Sequence, residues 1–199
     1  MMRKQIGFFG GSFNPPHLGH AMAVTYALLE EGLDKVIVMP SGRHPFGKKL
    51  EDDIDRYYMC LKTFGIFGDK VEVSLWEANQ AIEGKINYTV NTLSYIKKQY
   101  PDADIRLIIG EDAFADFELW ERHDDIAEMA SPFIILPRNT DDEDSNSPIP
   151  NISSTEIRKA LSLDLDIELK LNLIKRMVST GVIDIIKSRN LYCRKKYDR

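Results

Sequence analysis

The stretch Ile6-Gly7-Phe8-Phe9-Gly10-Gly11-Ser12-Phe13-Asn14-Pro15-Pro16-His17-Leu18-Gly19-His20 reads as a buried strand, a turn built from glycine and proline, and the start of a helix. Ile6 to Phe9 is short and apolar, as strands covered on both faces are. Beyond the turn, Leu18 to Glu31 puts Leu18, Ala21, Met22, Thr25, Leu28 and Leu29 on one helical face and stops at Gly32, a residue suited to a left-handed cap. Lys35 to Met39 then restores the apolar strand pattern, completing one βαβ unit with a right-handed crossover. In such a sheet, ligands bind beyond the carboxyl ends of the strands, and the next helix aims its positive end and free N–H groups at bound phosphate. Gly10 and Gly11 allow close backbone approach, and Pro15 and Pro16 stiffen the turn. His17 and His20 sit where the helix begins, spaced so that both rings can face one anion. The turn is not the GxGxxG dinucleotide fingerprint. Two of the chain's four histidines fall in it, which favours function over packing. Zinc is disfavoured, because no HExxH pattern and no third ligand of suitable spacing accompany the pair, so no metal-ligating residue is assigned.

Working outward, short β-rich runs alternate with helical segments between residues 6 and 137. Further strands are expected at Val71 to Leu75, Ile105 to Ile109 and Pro132 to Leu136, with helices at Asp52 to Phe64 and Thr89 to Tyr100, the last closing before Pro101. The fold class is therefore α/β, a Rossmann-like doubly wound parallel sheet. Residues 139 to 150 are acidic and carry proline, and read as a mobile, solvated surface loop. After them, Ser154 to Leu161, Asp166 to Met177 and Val182 to Ser188 predict a small helical subregion packed on the sheet. The expected organisation is one domain over 1–199, with a sheet core at 1–137 and a helical part at 151–192; no internal repeat is visible.

Composition sets the outer limits. The chain has 199 residues, 43% hydrophobic and 29% charged, with a net charge of -5, the balance of a soluble globular protein. At this length roughly 70% of the unfolded chain's surface can be buried, so no disulfide or structural metal is required. Cys60 and Cys193 form no CxxC pair and are expected as reduced thiols. No run approaches a membrane span, and Met1 to Phe9 is too short and too soon interrupted by glycine for a secretory signal, so a cytoplasmic protein is expected. Overall acidity argues against nucleic acid as a partner, while a local His, Lys and Arg cluster still suits a phosphorylated small molecule. The basic run Arg194-Lys195-Lys196 is expected to be a solvated terminus.

A second segment, Ile152-Ser153-Ser154-Thr155-Glu156-Ile157-Arg158, carries a helix-start signature: Ser153 or Ser154 can cap, and Glu156 follows at about capping-box distance. Its free N–H groups form another anion site, and Arg158, one turn in, can fork onto phosphate oxygens. His17-Leu18-Gly19-His20 resembles the signature of the HxGH nucleotidyltransferases. The longer string from Gly10 to His20, taken with the SSTxIR match, is similar specifically to the bacterial nicotinate mononucleotide adenylyltransferase branch. Asn87-Tyr88-Thr89-Val90-Asn91-Thr92, Ile108-Ile109-Gly110-Glu111-Asp112 with Trp120, and Asn190-Leu191-Tyr192 extend the resemblance from about residue 6 to residue 192.

This resemblance implies an ATP site of Gly10, Ser12, Phe13, His17, His20, Gly110, Asp112, Ser154, Thr155 and Arg158. It implies an acceptor site of Asn14, Lys48, Lys49, Thr89 and Trp120, where Thr89 offers N–H and hydroxyl donors to a carboxylate and Trp120 stacks on the pyridine ring. His20, His17 and Lys48 would be catalytic, with Mg²⁺ accompanying ATP. The chain departs from the family at Arg43-His44-Pro45-Phe46-Gly47-Lys48-Lys49, where Pro-Pro-His-Lys is common, and at Asn91, where aspartate is common. Both changes touch the acceptor side and leave open nicotinate against nicotinamide mononucleotide, and Lys48 against Lys49 as phosphate ligand. Competing readings are an HxGH enzyme for another phosphorylated acceptor such as pantetheine phosphate, a cytidylyltransferase, and a non-catalytic nucleotide sensor. A homo-oligomer is compatible with the sequence.

Overall fold

The computed structural model describes residues 3–42, 50–137 and 151–193. Lys48, Lys49, the acidic stretch 139–150 and the basic run 194–196 lie outside them. The chain runs β1 (Lys4–Gly11), α1 (Leu18–Leu29), β2 (Lys35–Pro40), α2 (Asp53–Phe64), β3 (Val71–Val73), α3 (Trp76–Ile82), α4 (Thr89–Gln99), β4 (Ala103–Gly110), α5 (Glu111–Ala115), α6 (His123–Ala130) and β5 (Ile134–Leu136). Helices α7 (Ser154–Ser162), α8 (Ile167–Ile174) and α9 (Thr180–Arg189) follow. The five strands are all parallel in the order β3-β2-β1-β4-β5, the doubly wound arrangement expected.

Strand alternation divides the core into two layers. Phe9, Val36, Val38 and Ile108 face one layer, with Ala23, Val24 and Ala27 of α1. Ile6, Phe8, Ile37, Met39, Ile105 and Leu107 face the other, under α4 and α6. A third cluster joins Met59 of α2 to Ile157, Leu161, Ile174, Val182 and Ile186, so the C-terminal helices are seated on α2.

Three expectations are corrected here. The buried face of α1 is Gly19, Ala21, Ala23, Val24, Ala27 and Leu28, whereas Leu18, Met22 and Leu29 are exposed. The helix lies close to the sheet, and a close approach selects small side chains over leucine and methionine. The third strand ends at Val73, and Trp76 instead begins α3, with its indole stacked on Tyr95 of α4 at 4.5 Å. Helix α1 also stops at Leu29, two residues short of the expected end, and Gly32 then takes the left-handed conformation at φ 66°. Among the described residues no helix is long and apolar enough to cross a membrane.

Candidate active site

Strand β1 delivers its turn at the switch point of the sheet, where β1 and β4 are neighbours but their following helices lie on opposite faces. Phe8 stands opposite Leu107, and the same register carried three residues further brings Gly11 level with Gly110. The turn is held by the core. Phe13 adopts φ 44° and buries its ring edge-on to Phe9 at 5.4 Å and Phe64 at 5.9 Å. Only the backbone of Phe13 is therefore left to meet a ligand.

His17 is the N-cap of α1 and is buried. Its backbone N–H donates to Nδ1 of His20 at 3.1 Å, and the two rings stack at 3.6 Å, 26° apart. This packing explains the intervening glycine, since a Cβ on Gly19 would lie 3.1 Å from His17 Nδ1 and 3.7 Å from Ile152 Cβ. Burial, and then the neighbouring His17, hold the His20 imidazole well below the usual histidine range. His20 is thus neutral at pH 7, and because Nδ1 accepts, its proton resides on Nε2. The ring presents a neutral N–H donor at the first turn of a helix.

The second motif closes on the first. Ser153 caps α7 by accepting from Glu156 N at 3.1 Å, while Glu156 accepts from Ser153 N at 3.3 Å, completing the box. Ser154 Oγ donates to Pro15 O at 2.7 Å, and Arg158 Nη1 donates to Asn14 O at 2.8 Å while Nη2 reaches Thr155 Oγ1 at 3.2 Å. These contacts pin the starts of α1 and α7 side by side, and Leu18 N, donating to Met177 O at 2.8 Å, ties the start of α1 to the turn between α8 and α9. Asn14 is buried within this joint: its Oδ1 accepts from Tyr192 OH at 3.0 Å and Glu51 N at 3.2 Å.

Opposite, Gly110 ends β4, paired with Leu136 of β5, and a Cβ there would meet nothing within 4 Å, so one side of the residue faces open space. Asp112 is exposed in the first turn of α5, Thr89 is the first residue of α4, and Trp120 is half-buried beside Phe117 at 5.8 Å.

Two residues not singled out in the sequence organise these loops. Arg56 is fully buried and donates to Ser12 O at 2.7 Å, Ser41 O at 2.6 Å and Glu51 O at 3.0 Å, and pairs with Asp53. Its signal was an arginine opening the stripe Arg56, Met59, Cys60, Thr63, Phe64, which is buried at helical spacing. Glu77 is 6% exposed, accepting from Thr92 Oγ1 at 2.7 Å and Gly42 N at 3.3 Å.

Burial pushes the Glu77 carboxyl up to about 7, against the pull of Thr92, Gly42 and Arg56, with Asp53 adding to the rise. The folded protein therefore holds a proton that the unfolded chain, near 4.5, has released. The associated stability is complete below pH 4.5 and is lost as pH rises through 7, by about 3 kcal/mol. Glu77→Gln is expected to match the wild type in Tm at pH 5 and to exceed it by several degrees at pH 8. Thermal melts at the two pH values check this, and an equal gap at both would remove the carboxyl as its cause.

Residues 8–160 match the cytidylyltransferase-like family. A probable nicotinate-nucleotide adenylyltransferase of Anaeromyxobacter sp. (strain K) is 33% identical over 190 residues, covering 95% of this chain and 97% of that protein. One from Thermotoga sp. (strain RQ2) is 34% identical, covering 78% and 85%. The solved structure of Plasmodium falciparum nicotinic acid mononucleotide adenylyltransferase complexed with NaAD superposes with a TM-score of 0.71 at 21% identity, covering 95% of this chain and 97% of that one, and shows the shared fold. With two paired helix starts at the switch point and relatives matching along nearly its whole length, the chain belongs to the nicotinate-nucleotide adenylyltransferase family of cytidylyltransferase-like nucleotidyltransferases.

Proposed function

We propose that this protein, working as one domain in the cytoplasm, transfers the adenylyl group of ATP to nicotinate mononucleotide, giving the dinucleotide and pyrophosphate. The observation that carries this reading is the joint between the two helix starts: Ser154 on Pro15 and Arg158 on Asn14 bring the positive end of α7 and a guanidinium against the turn that opens α1. A triphosphate chain is long enough to use both.

An oxygen of the acceptor's 5′-phosphate attacks the α-phosphorus, the bond to the bridging oxygen breaks, and its electron pair leaves with pyrophosphate. No covalent enzyme intermediate is needed, so catalysis is alignment plus charge stabilisation. His20 Nε2–H donates to the α-phosphate, and the positive end of α1 adds its field at the same place. Arg158, Ser154 and Thr155 receive the leaving pyrophosphate. Mg²⁺ travels with ATP as the counter-ion of the triphosphate, largely through water. On the other side, the N-terminus of α4 at Thr89 suits the nicotinate carboxylate, and the half-buried Trp120 offers its face to the pyridine. Asp112, and the open space beside Gly110, suit a ribose and its hydroxyls. One of Lys48 and Lys49 neutralises the reacting phosphates.

The deciding assay measures pyrophosphate release with ATP and Mg²⁺, with nicotinate or nicotinamide mononucleotide as acceptor, and identifies the product. Release with formation of the corresponding dinucleotide is expected, the ratio of kcat/KM values assigning the pyridine preference. Silence with both acceptors, from protein that ATP stabilises thermally, would overturn the pyridine assignment and turn attention to other phosphorylated acceptors or to a nucleotide sensor.

A further inference from the structure

Glu77 lies in α3, outside both matched motifs, yet every polar group it engages leads to the site. Its Oε1 accepts from Thr92 Oγ1 at 2.7 Å, and its backbone carbonyl accepts from Asn87 Nδ2 at 2.9 Å. These two contacts bracket Thr89, one on each side of the start of α4. Its Oε2 accepts from Gly42 N at 3.3 Å. Gly42 in turn lies so close that a Cβ on it would stand 2.3 Å from Glu77 O. The residue before it, Ser41, donates to Gly11 O through N at 2.8 Å and through Oγ at 3.2 Å, reaching the phosphate turn.

We propose that Glu77 is a positioning residue for the acceptor: it sets the start of α4 at a fixed distance from the phosphate turn, so that a mononucleotide gripped at one end by Thr89 delivers its phosphate to ATP at the other. The proposal rests on the reading of Thr89 as an acceptor contact. A buried carboxylate is a poor choice for stability alone, since an apolar side chain would fill the same space without the burial penalty described above. What the carboxylate supplies, once ionised above pH 7, is two acceptors in a fixed fork, one for each element to be registered.

Three variants test it. Thr92→Val keeps shape and removes one strut; Glu77→Ala removes both side-chain struts; Glu77→Gln retains one acceptor and one donor, and the Thr92 hydroxyl can reverse to accept from the amide. At pH 8, where Glu77 is ionised, Thr92→Val and Glu77→Ala are expected to raise the acceptor KM about tenfold, the scale of one lost hydrogen bond to a charged group, with the KM for ATP within twofold. Glu77→Gln is expected to stay within twofold of wild type for both substrates. If both KM values and Tm shift together in Thr92→Val, or if neither KM moves, Glu77 is a packing residue and the proposal is overturned.

Thr89→Pro separates this outcome from failure of the underlying assignment. Proline is tolerated at the first helical position after an extended residue, as Tyr88 is at φ -96° and ψ 146°, while the substitution removes both the N–H and the hydroxyl. A raised acceptor KM in Thr89→Pro with none in Thr92→Val and Glu77→Ala sinks the role of Glu77 alone. An unmoved acceptor KM in Thr89→Pro sinks the acceptor assignment, and the proposal with it.

Discussion

Replacing His20 with alanine is expected to lower kcat roughly 100- to 1,000-fold while leaving the KM for ATP within a few-fold, the pattern for losing one preorganised donor to a developing charge. The magnitude follows from the environment of the ring. His20 is packed against Phe13 at 4.9 Å and stacked on His17 at 3.6 Å, so its donor is held in place before ATP arrives, and the pentacoordinate transition state carries more charge on the equatorial oxygens than the ground state does. A neutral donor also makes a statement about pH. Because burial and His17 keep the imidazole of the free protein well below its usual value, kcat/KM for ATP is expected to show no step from His20 above pH 7. A fall in kcat on raising the pH through 6.5, abolished in His20→Ala, would mean that the cationic ring is the working form. Folding is not at stake to the same degree: the variant loses the hydrogen bond from His17 N at 3.1 Å and some ring contacts, about 1–3 kcal/mol. Turnover within threefold of wild type, from protein with a cooperative melt, would remove His20 from the chemistry.

What was legible in the sequence was what is local. The first βαβ unit follows from apolar runs and their punctuation, and the capping box at Ser153 and Glu156 is written in four consecutive residues. The two helix starts were therefore identifiable as anion sites before any contact between them was known. The contacts themselves were not legible. That Ser154 rests on Pro15, or that Tyr192 reaches across to Asn14, depends on tertiary packing between segments whose separation along the chain carries no signal. Asn14 illustrates the limit. The resemblance implies that it contacts the acceptor, while its carboxamide oxygen accepts from Tyr192 and Glu51, tying the segment after α9 to the turn, a role that nothing local in the sequence announces.

The misplaced face of α1 has a similar origin. Hydrophobicity ranks leucine and methionine above alanine, but the strip of a helix nearest a sheet is chosen by fit, and Ala23, Val24 and Ala27 fit there. The short α3 was hidden for another reason: Trp76 to Ile82 begins two residues after a strand, and although Ser74 Oγ accepts from Trp76 N at 3.2 Å, the apolar Leu75-Trp76 pair reads as the strand continuing. Glu77 was lost from view with it. Charged residues in a short unpredicted helix read as surface, and only the packing of α3 between the end of β2 and α4 makes one of them the most confined carboxylate among the described residues.

Arg56 shows what such confinement supports, and its removal is the largest stability effect expected here. The guanidinium is 0% exposed and spreads its donors over three carbonyls from three segments: Ser12 in the phosphate turn, Ser41 beyond β2 and Glu51 ahead of α2. Asp53, a third exposed, balances its charge from the first turn of the same helix. Lysine cannot reproduce this arrangement, because one tetrahedral ammonium on an unforked stem cannot reach three diverging carbonyls. Arg56→Lys is therefore expected to cost about 2–4 kcal/mol, and Arg56→Met about 3–5 kcal/mol, since methionine leaves the carbonyls unpaired and Asp53 without its partner. For a chain of this size each kcal/mol lowers Tm by about 2–4 °C, so Arg56→Met should melt roughly 10 °C or more below wild type. The two variants also differ in their effect on Glu77. Arg56 draws the Glu77 carboxyl down from where burial alone would place it, so removing the positive charge raises that pKa further, whereas lysine retains part of the pull. The pH dependence of Tm should accordingly move upward in Arg56→Met, with the loss of stability that sets in above pH 4.5 extending beyond pH 7. Chemical denaturation at several pH values reads both quantities at once. A cost below 1 kcal/mol for Arg56→Lys would show that the three carbonyls find other donors, and the turn that carries His17 and His20 would then owe its position to the aromatic packing of Phe13 rather than to the arginine beneath it.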